Sequence, residues 1–227
     1  MADFPILTTE RLILREFRPT DAAAVFSILS REIVTRYHNL DVMKTVNEAE
    51  DLVASRAGLW PKGIGVRWAI ALNEQPDTVI GSCGVYNLNK AFCSLEIGYD
   101  LHPAHWRRGI MTEALNAAIG YCYSQAFLFP LNRIEALTYV EHIASIALLA
   151  KLGFQEEGIR REYGYWKNRF HDLRSFSLLR REWESGQTTK TKKSVVQTEF
   201  YADVGQKLTD RSPSPGPQRS GLRGWIV

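Results

Sequence analysis

The sequence predicts an α+β (α/β-like) fold: one domain over residues 1–184, built on a mixed sheet with helices against it, then a low-complexity, disordered basic tail over residues 185–227. Three observations carry that reading. Apolar residues recur with a period that switches between two and 3.6 residues. The segments so marked follow the order β-α-α-β-β-β-α-β-α-β-β, with hairpin-type turns in the middle block. Near Ser185 the composition shifts to Ser, Thr, Pro and Gly, which leaves little to bury.

Arg11 to Phe17 (RLILREF) alternates as a strand. Asp21 to Leu29 places Val25, Phe26, Ile28 and Leu29 behind Thr20, whose hydroxyl suits an N-cap, and reads as a helix. Asn47 opens a second helix, with Glu50 three residues on and Leu52, Val53 and Ala57 on one face. Val66 to Leu72, Thr78 to Tyr86 and Phe92 to Asp100 are β-rich, and the intervening NEQPD and NLNKA are turn compositions that favour antiparallel hairpins. Thr112 to Ser124 is an amphipathic helix. Arg133 to Val140 is a strand, and Ile143 to Leu152 a helix that Gly153 closes. Tyr163 to Trp166 and Leu173 to Leu179 pair across the turn KNR.

Composition narrows the function classes. The tail holds seven of the 28 basic and three of the 25 acidic side chains, so it carries +4 and the body −1. Such a body is no basic platform for nucleic acid, and no specific nucleic-acid partner is expected. Cys83, Cys93 and Cys122 form no C-x-x-C pair, which speaks against a disulfide framework or a zinc site and for a reducing compartment. Their apolar surroundings make them core residues. His102 and His105 lack a third ligand and read as surface histidines; no metal is expected. The opening MADFPILTTERL has no basic n-region followed by an apolar core, and nowhere do eighteen apolar residues run together, so a cytoplasmic, membrane-free setting is expected. GSCG at 81–84 has the wrong spacing for a nucleophile elbow.

The chemical information gathers where SLEIGYDL runs through HPAHWRR into GIMTEAL. Gly109, preceded by Arg107 and Arg108, marks a strand-to-helix turn. The first amides of a helix lack intrahelical partners and point out along its axis at the positive end of the macrodipole, which suits phosphate. Two arginines add to the attraction, and glycine lets the ligand's oxygens reach the backbone. The motif is neither a P-loop nor a dinucleotide fingerprint.

EIGYDLHPAHWRRGIMTEAL, then NRIEALTYVEHIASIALLAKLGF, then REYGYWKNRFHDLRSFSLLRREW resemble the GNAT-type N-acetyltransferases. Within that family the branch of ribosomal-protein serine and alanine N-terminal acetyltransferases is the most similar, and TERLILREFRPTDA resembles its opening. The resemblance covers residues 8 to 184. It implies a mixed, mostly antiparallel sheet splayed to hold acetyl-CoA, with the pyrophosphate on the helix after the first central strand. On it, Trp106, Arg107, Arg108, Gly109, Ile110 and Met111 take the family's pyrophosphate loop, with Thr112 at the helix start. Trp106 stands where Gln or Arg is usual, and Met111 where a small residue is, which implies a tighter pocket. The backbone of Tyr99 to Leu101 takes the pantetheine arm as an added strand. His142 and Ser145 fall on the family's Asn-x-x-Ser pattern; a neutral imidazole at His142 still bonds the pantetheine amide but makes the site pH-sensitive. Leu149 replaces the tyrosine with which many relatives protonate the departing thiolate.

The implied reaction needs a neutral amine, support for an oxyanion, and stabilisation of the thiolate. Glu96 alternates away from Leu95, Ile97 and Tyr99, so its carboxylate suits the cleft and takes the amine proton through water. A main-chain N–H near Tyr99 supports the oxyanion. Ser145 is the candidate donor to the thiolate. Each has a structural alternative: Glu96 as a solvated strand carboxylate, Ser145 as a helix cap. Tyr163, Tyr165 and Trp166 read equally as strand packing or as the rim of an acceptor pocket. The functional expectation is an acetyl-CoA-dependent N-acetyltransferase acting on a primary amine, either a protein N-terminus or a small molecule, as a monomer or homodimer. The alternative is a non-catalytic acyl-CoA-binding or interaction module, motivated by His142, Leu149 and Met111.

Overall fold

A computed structural model describes residues 3–195. Eight strands form one open sheet in the order β1-β2-β3-β4-β5-β6-β8-β7. The strands are β1 (Leu7–Thr8), β2 (Leu12–Arg15), β3 (Val66–Leu72), β4 (Gln75–Asn89), β5 (Ser94–Leu101), β6 (Arg133–Tyr139), β7 (Gln155–Trp166) and β8 (Arg169–Leu179). The helices are α1 (Ala22–Leu29), α2 (Glu32–Thr35), α3 (Val46–Ala57), α4 (Ile110–Tyr123), α5 (Ile143–Leu152) and α6 (Arg180–Val195). Every neighbouring pair is antiparallel except β5 and β6, where α4 provides the crossover that a parallel pair requires.

The sheet is covered on both faces, which is why β3 is buried along nearly its whole length and is apolar but for Arg67. Val66, Trp68 and Ile70 pack with Ile97, Leu115, Ile119 and Ile134 beneath α4 and α5. Ala69 on the opposite face packs with Val25, Ile28, Leu29, Ala49 and Val53 of α1 and α3. Burying each of these large aliphatic side chains contributes about 1.5–3 kcal/mol before chain entropy is charged against it.

Boundaries differ from the expectations for local reasons. The residue that opens α3 is Thr45 rather than Asn47, and Glu48 completes a capping box with it. Thr20 does not cap α1; Pro19–Asp21 forms a short 3₁₀ turn, and the Asp21 carboxylate accepts from the Arg18 amide at 2.7 Å. The segment NLNKA is not a free turn: β4 continues to Asn89 through an irregularity after Tyr86, with Asn87 in the left-handed region at φ 52°. β7 is a twelve-residue edge strand, far longer than its four-residue aromatic end suggests. Cys83 and Cys122 are buried, whereas Cys93 sits half-buried in a turn at φ 49° rather than in the core. α2 is an additional short helix. α6 crosses the composition change at Ser185, and Trp183 at its start packs on the core near Tyr123. The rest of the expected disordered tail, residues 196–227, lies outside the described residues.

Candidate active site

β5 and β6 are paired only through Ser94–Arg133, Leu95–Ile134 and Glu96–Glu135. Beyond Glu96 the two strands part: β5 continues to Leu101 on β4 alone, and β6 to Tyr139 on β8 alone. The irregularity in β4 stands at this fork, since Tyr86 is the partner of Glu96 and regular pairing ends there. A bulge bends its strand and increases local twist. The inner edge of β5 beyond Glu96 is thereby open for an extended ligand.

Alternation along β5 divides the site between two faces. Leu95, Ile97 and Tyr99 join the core under α4 and α5, and Glu96 and Asp100 take the other side. The half-buried Glu96 carboxylate accepts from Asn87 Nδ2 at 3.0 Å. Burial raises its pKa above the ordinary carboxylate range, the Asn87 bond opposes this, and the neighbouring Glu135 charge adds to it. Glu135 is itself paired with Arg133 at 2.8 Å and Arg160 at 3.1 Å. A carboxyl group so placed exchanges a proton closer to neutrality than a solvated one.

Asp100, also on that face, is buried between two arginines. Its carboxylate accepts from Arg56 at 2.9 Å, Arg67 at 2.7 Å and Ser82 at 2.6 Å. Burial alone raises its pKa, but the two guanidinium charges prevail and hold it well below the usual range. This network ties the far end of β5 to α3 and β3, so the open strand has a fixed course.

On the opposite face the Tyr99 phenol and the Ser145 hydroxyl are 2.8 Å apart, and both residues are buried, at 9% and 2% exposure. Ser145 therefore does not cap α5; it faces inward, one turn before the fully buried Leu149. His142 precedes α5 with its ring stacked on Tyr37, centroids 4.3 Å apart. Burial lowers its pKa to about 4, so the ring is neutral near pH 7. Tyr139, Trp166 and His171 continue the aromatic cluster, so Trp166 is packing rather than exposed rim. Tyr163 and Tyr165 are exposed on β7.

The turn after β5 leads into α4. Arg107 and Gly109 both have positive φ, 59° and 75°, and Gly109 is the N-cap. Left-handed residues in such a turn gather successive amides into an anion-binding concavity at the helix dipole's positive end. Trp106, Arg107, Arg108 and Gly109 are exposed there, with Thr112 half-buried in the first helical turn. Ile110 and Met111 bury their side chains in the core, so the Met111 side chain is packing and leaves the loop to its backbone. The Trp106 indole N–H donates to the Leu101 carbonyl at 2.7 Å and closes the β5 end of the turn.

Several supporting residues were missed by sequence reasoning. Arg11 donates to the Arg108 carbonyl at 3.0 Å and pairs with Glu113 at 2.6 Å, while Thr9 donates to the same carboxylate at 2.6 Å. These bonds fix the turn from the opposite end of the sequence. Asn87, Glu135 and Tyr37 were missed likewise. The isolated Asn87 within NLNKA carried the one usable signal, because Asn tolerates the left-handed conformation found at bulges.

Comparison with known proteins agrees with this geometry. A family model described as an acetyltransferase (GNAT) domain matches residues 11–155. The uncharacterized N-acetyltransferase YoaA of Bacillus subtilis (strain 168) is 37% identical over 179 residues, 78% of this chain and 98% of YoaA. A GNAT-family acetyltransferase structure from Bacillus anthracis shares the fold with a TM-score of 0.68 at 22% identity, covering 78% of this chain and all of that one. RimL, a ribosomal L7/L12 alpha-N-protein acetyltransferase solved with coenzyme A, has a TM-score of 0.66 at 20% identity, covering 77% and 98%. The matched family model and the similarity to YoaA over most of both chains make this chain a member of the GNAT family, an acetyl-CoA-dependent acyltransferase.

Proposed function

We propose that the protein transfers the acetyl group of acetyl-CoA to a primary amine, with the N-terminal α-amine of a protein or peptide as the favoured acceptor. The carrying observation is the fork itself: β5 and β6 part immediately after Glu96, so an open strand edge begins beside a carboxyl group of raised pKa, with a buried hydroxyl pair at Tyr99 on the other face. The residues present fit acetyl-CoA. The inner edge of Tyr99 to Leu101 offers main-chain groups to the pantetheine amides, although Trp106 already engages the Leu101 carbonyl. Arg107, Arg108, Gly109, Ile110, Met111 and Thr112 offer amides and guanidinium groups to the diphosphate, and His142, just before α5, borders the pantetheine in this reading. Bound there, acetyl-CoA supplies the activated acyl group.

In this reading Glu96 acts as base. It takes a proton from the incoming ammonium, directly or through one water, and frees the amine's lone pair for attack. A main-chain N–H at the fork near Tyr99 stabilises the oxyanion, and Ser145 supports the departing sulfur on the other face. RimL, whose fold this chain shares, is an alpha-N-protein acetyltransferase, which favours a peptide terminus. The test is release of free thiol from acetyl-CoA with a panel of short peptides and small amines. Acetylation of peptide α-amines, located by mass spectrometry, supports the reading; acetylation confined to small amines overturns the acceptor, and coenzyme A affinity without turnover leaves only the acyl-CoA-binding module.

A further inference from the structure

We propose that Tyr99 is a positioning residue for departure of the thiol: its phenol donates to Ser145 Oγ and thereby aims the Ser145 hydroxyl proton at the coenzyme A sulfur. The inference rests on the acetyl-transfer reading above and adds a residue to it. Tyr99 lies three residues beyond Glu96, where β5 is paired with β4 but no longer with β6, and Ser145 lies in the first turn of α5, shortly after β6. Their 2.8 Å contact therefore spans the two arms of the fork. Alternation puts it on the face opposite to Glu96. The amine is thus deprotonated on one side of the sheet while the sulfur is received on the other.

The chemistry favours one direction of that hydrogen bond. A serine hydroxyl has one proton; if it is given to Tyr99, none remains for sulfur, whereas a phenol that donates to Ser145 leaves the serine proton free. Burial raises the Tyr99 pKa, so the phenol keeps its proton and remains a donor. α5 itself offers only an aliphatic side chain one turn on, at the fully buried Leu149, so a phenol reaches this face from β5 instead. The step balances without an added acid. Glu96 takes the first proton of the ammonium, the freed amine nitrogen forms the new C–N bond and sheds its second proton to solvent, and the electron pair of the breaking C–S bond goes to sulfur. The resulting thiolate is stabilised by the Ser145 O–H, and solvent returns a proton to it as Glu96 releases its own. Aligned donors that polarise one another strengthen the terminal bond.

The test uses the full 227-residue chain and its Tyr99→Phe, Ser145→Ala and double variants. The first readout is the thiol pKa of coenzyme A in the binary complex, followed by ultraviolet thiolate absorbance, which needs no acceptor. The wild type should lower that pKa below the free-thiol value of about 8.5, and Tyr99→Phe should return it upward by about one unit. The second readout is steady-state kinetics: kcat should fall about tenfold with the KM for acetyl-CoA within about twofold. The double variant should be no worse than Ser145→Ala, because the phenol acts through the serine. An unchanged thiol pKa and kcat in Tyr99→Phe, with only a lower melting temperature, overturns the proposal. Tighter coenzyme A binding at unchanged kcat does so too, since the pair then merely closes an empty slot. A wild type that lowers the thiol pKa through Tyr99 yet acetylates no amine supports the hydroxyl pair while refuting the acetyl-transfer reading. One that binds no coenzyme A refutes both.

Discussion

Glu96 carries the heaviest chemical demand at the scale of single residues. Its pKa is raised first by burial and then by Glu135, so the carboxylate fraction grows as pH climbs through a value above the ordinary glutamate range. Activity should therefore rise with pH on the acid side in the wild type. Glu96→Gln preserves volume and the bond to Asn87 but accepts no proton. Its kcat should fall by about 10²- to 10⁴-fold, while acetyl-CoA affinity persists and the loss shrinks above the pKa of the amine. Near-normal turnover of the Gln variant at pH 7 would instead assign deprotonation to water and substrate positioning. His38 makes a second residue-scale test. It is buried beside the Arg56–Asp100–Arg67 network, and burial chiefly lowers its pKa to about 4. A histidine whose folded pKa lies below its unfolded value of about 6.5 stabilises the fold fully above that unfolded value and loses the contribution as pH falls toward 4. About 2 kcal/mol should be lost by pH 5, and His38→Gln should flatten the melting temperature between pH 7 and pH 5. An equally steep profile in the variant would place the acid sensitivity elsewhere.

The turn into α4 is the element whose sequence carried most of its own explanation. WRRGIM, placed between an alternating strand and a helical period, marks a strand-to-helix turn, and Arg107 and Gly109 adopt left-handed conformations that gather the amides there. A Cβ at Gly109 meets Arg11 Nη2 at 3.5 Å, an ordinary contact, so space is not what excludes a side chain there. The φ of 75° is: a non-glycine residue costs about 1–2 kcal/mol. Gly109→Glu should therefore fold, with that modest loss, and weaken acetyl-CoA binding by at least about 100-fold through charge repulsion at the diphosphate. Calorimetric titration of a folded variant with unchanged affinity would remove the diphosphate from this turn. What the sequence did not disclose is the support from a distance. Arg11 and Thr9 reach Glu113 across about a hundred positions, and no local period encodes a contact of that kind. The hairpin turns were misread for the opposite reason. Asn73 and Glu74 alone separate β3 from β4: Gln75 pairs with Leu72, and Pro76 to Thr78 fall in a register irregularity before Val79 meets Ala71, so most of the expected turn is a bulged strand end.

At the scale of the molecule, the order of elements was readable because each strand and helix must bury an apolar face in a two-sided sheet, and the period of that face is local. The fork was not readable that way. It depends on where pairing between β5 and β6 stops, and Ile97 and Tyr99 are as apolar as the paired Leu95; only the family resemblance implied it. The C-terminal boundary mixes both cases. Arg180 donates to the Tyr123 and Leu131 carbonyls and Trp183 packs on the core, whereas the composition past Ser185 offers little to bury. Truncation after residue 195 should leave acetyl transfer unchanged and the melting temperature within about 2 °C, and truncation after Leu179 should lower it by several degrees. Thermal denaturation of the two shortened proteins checks both, and a large loss from the first would make the tail part of the folded body.

A crystal structure of the chain with acetyl-CoA tests the central claim most directly. The pantetheine should lie between β5 and β6 against the main chain of Tyr99 to Leu101, the diphosphate on the amides of Arg107 to Thr112, and the thioester within reach of Glu96 on one face and Ser145 on the other. Acetyl-CoA seated elsewhere, or a fork that closes with β5 and β6 paired along their full length, would contradict it.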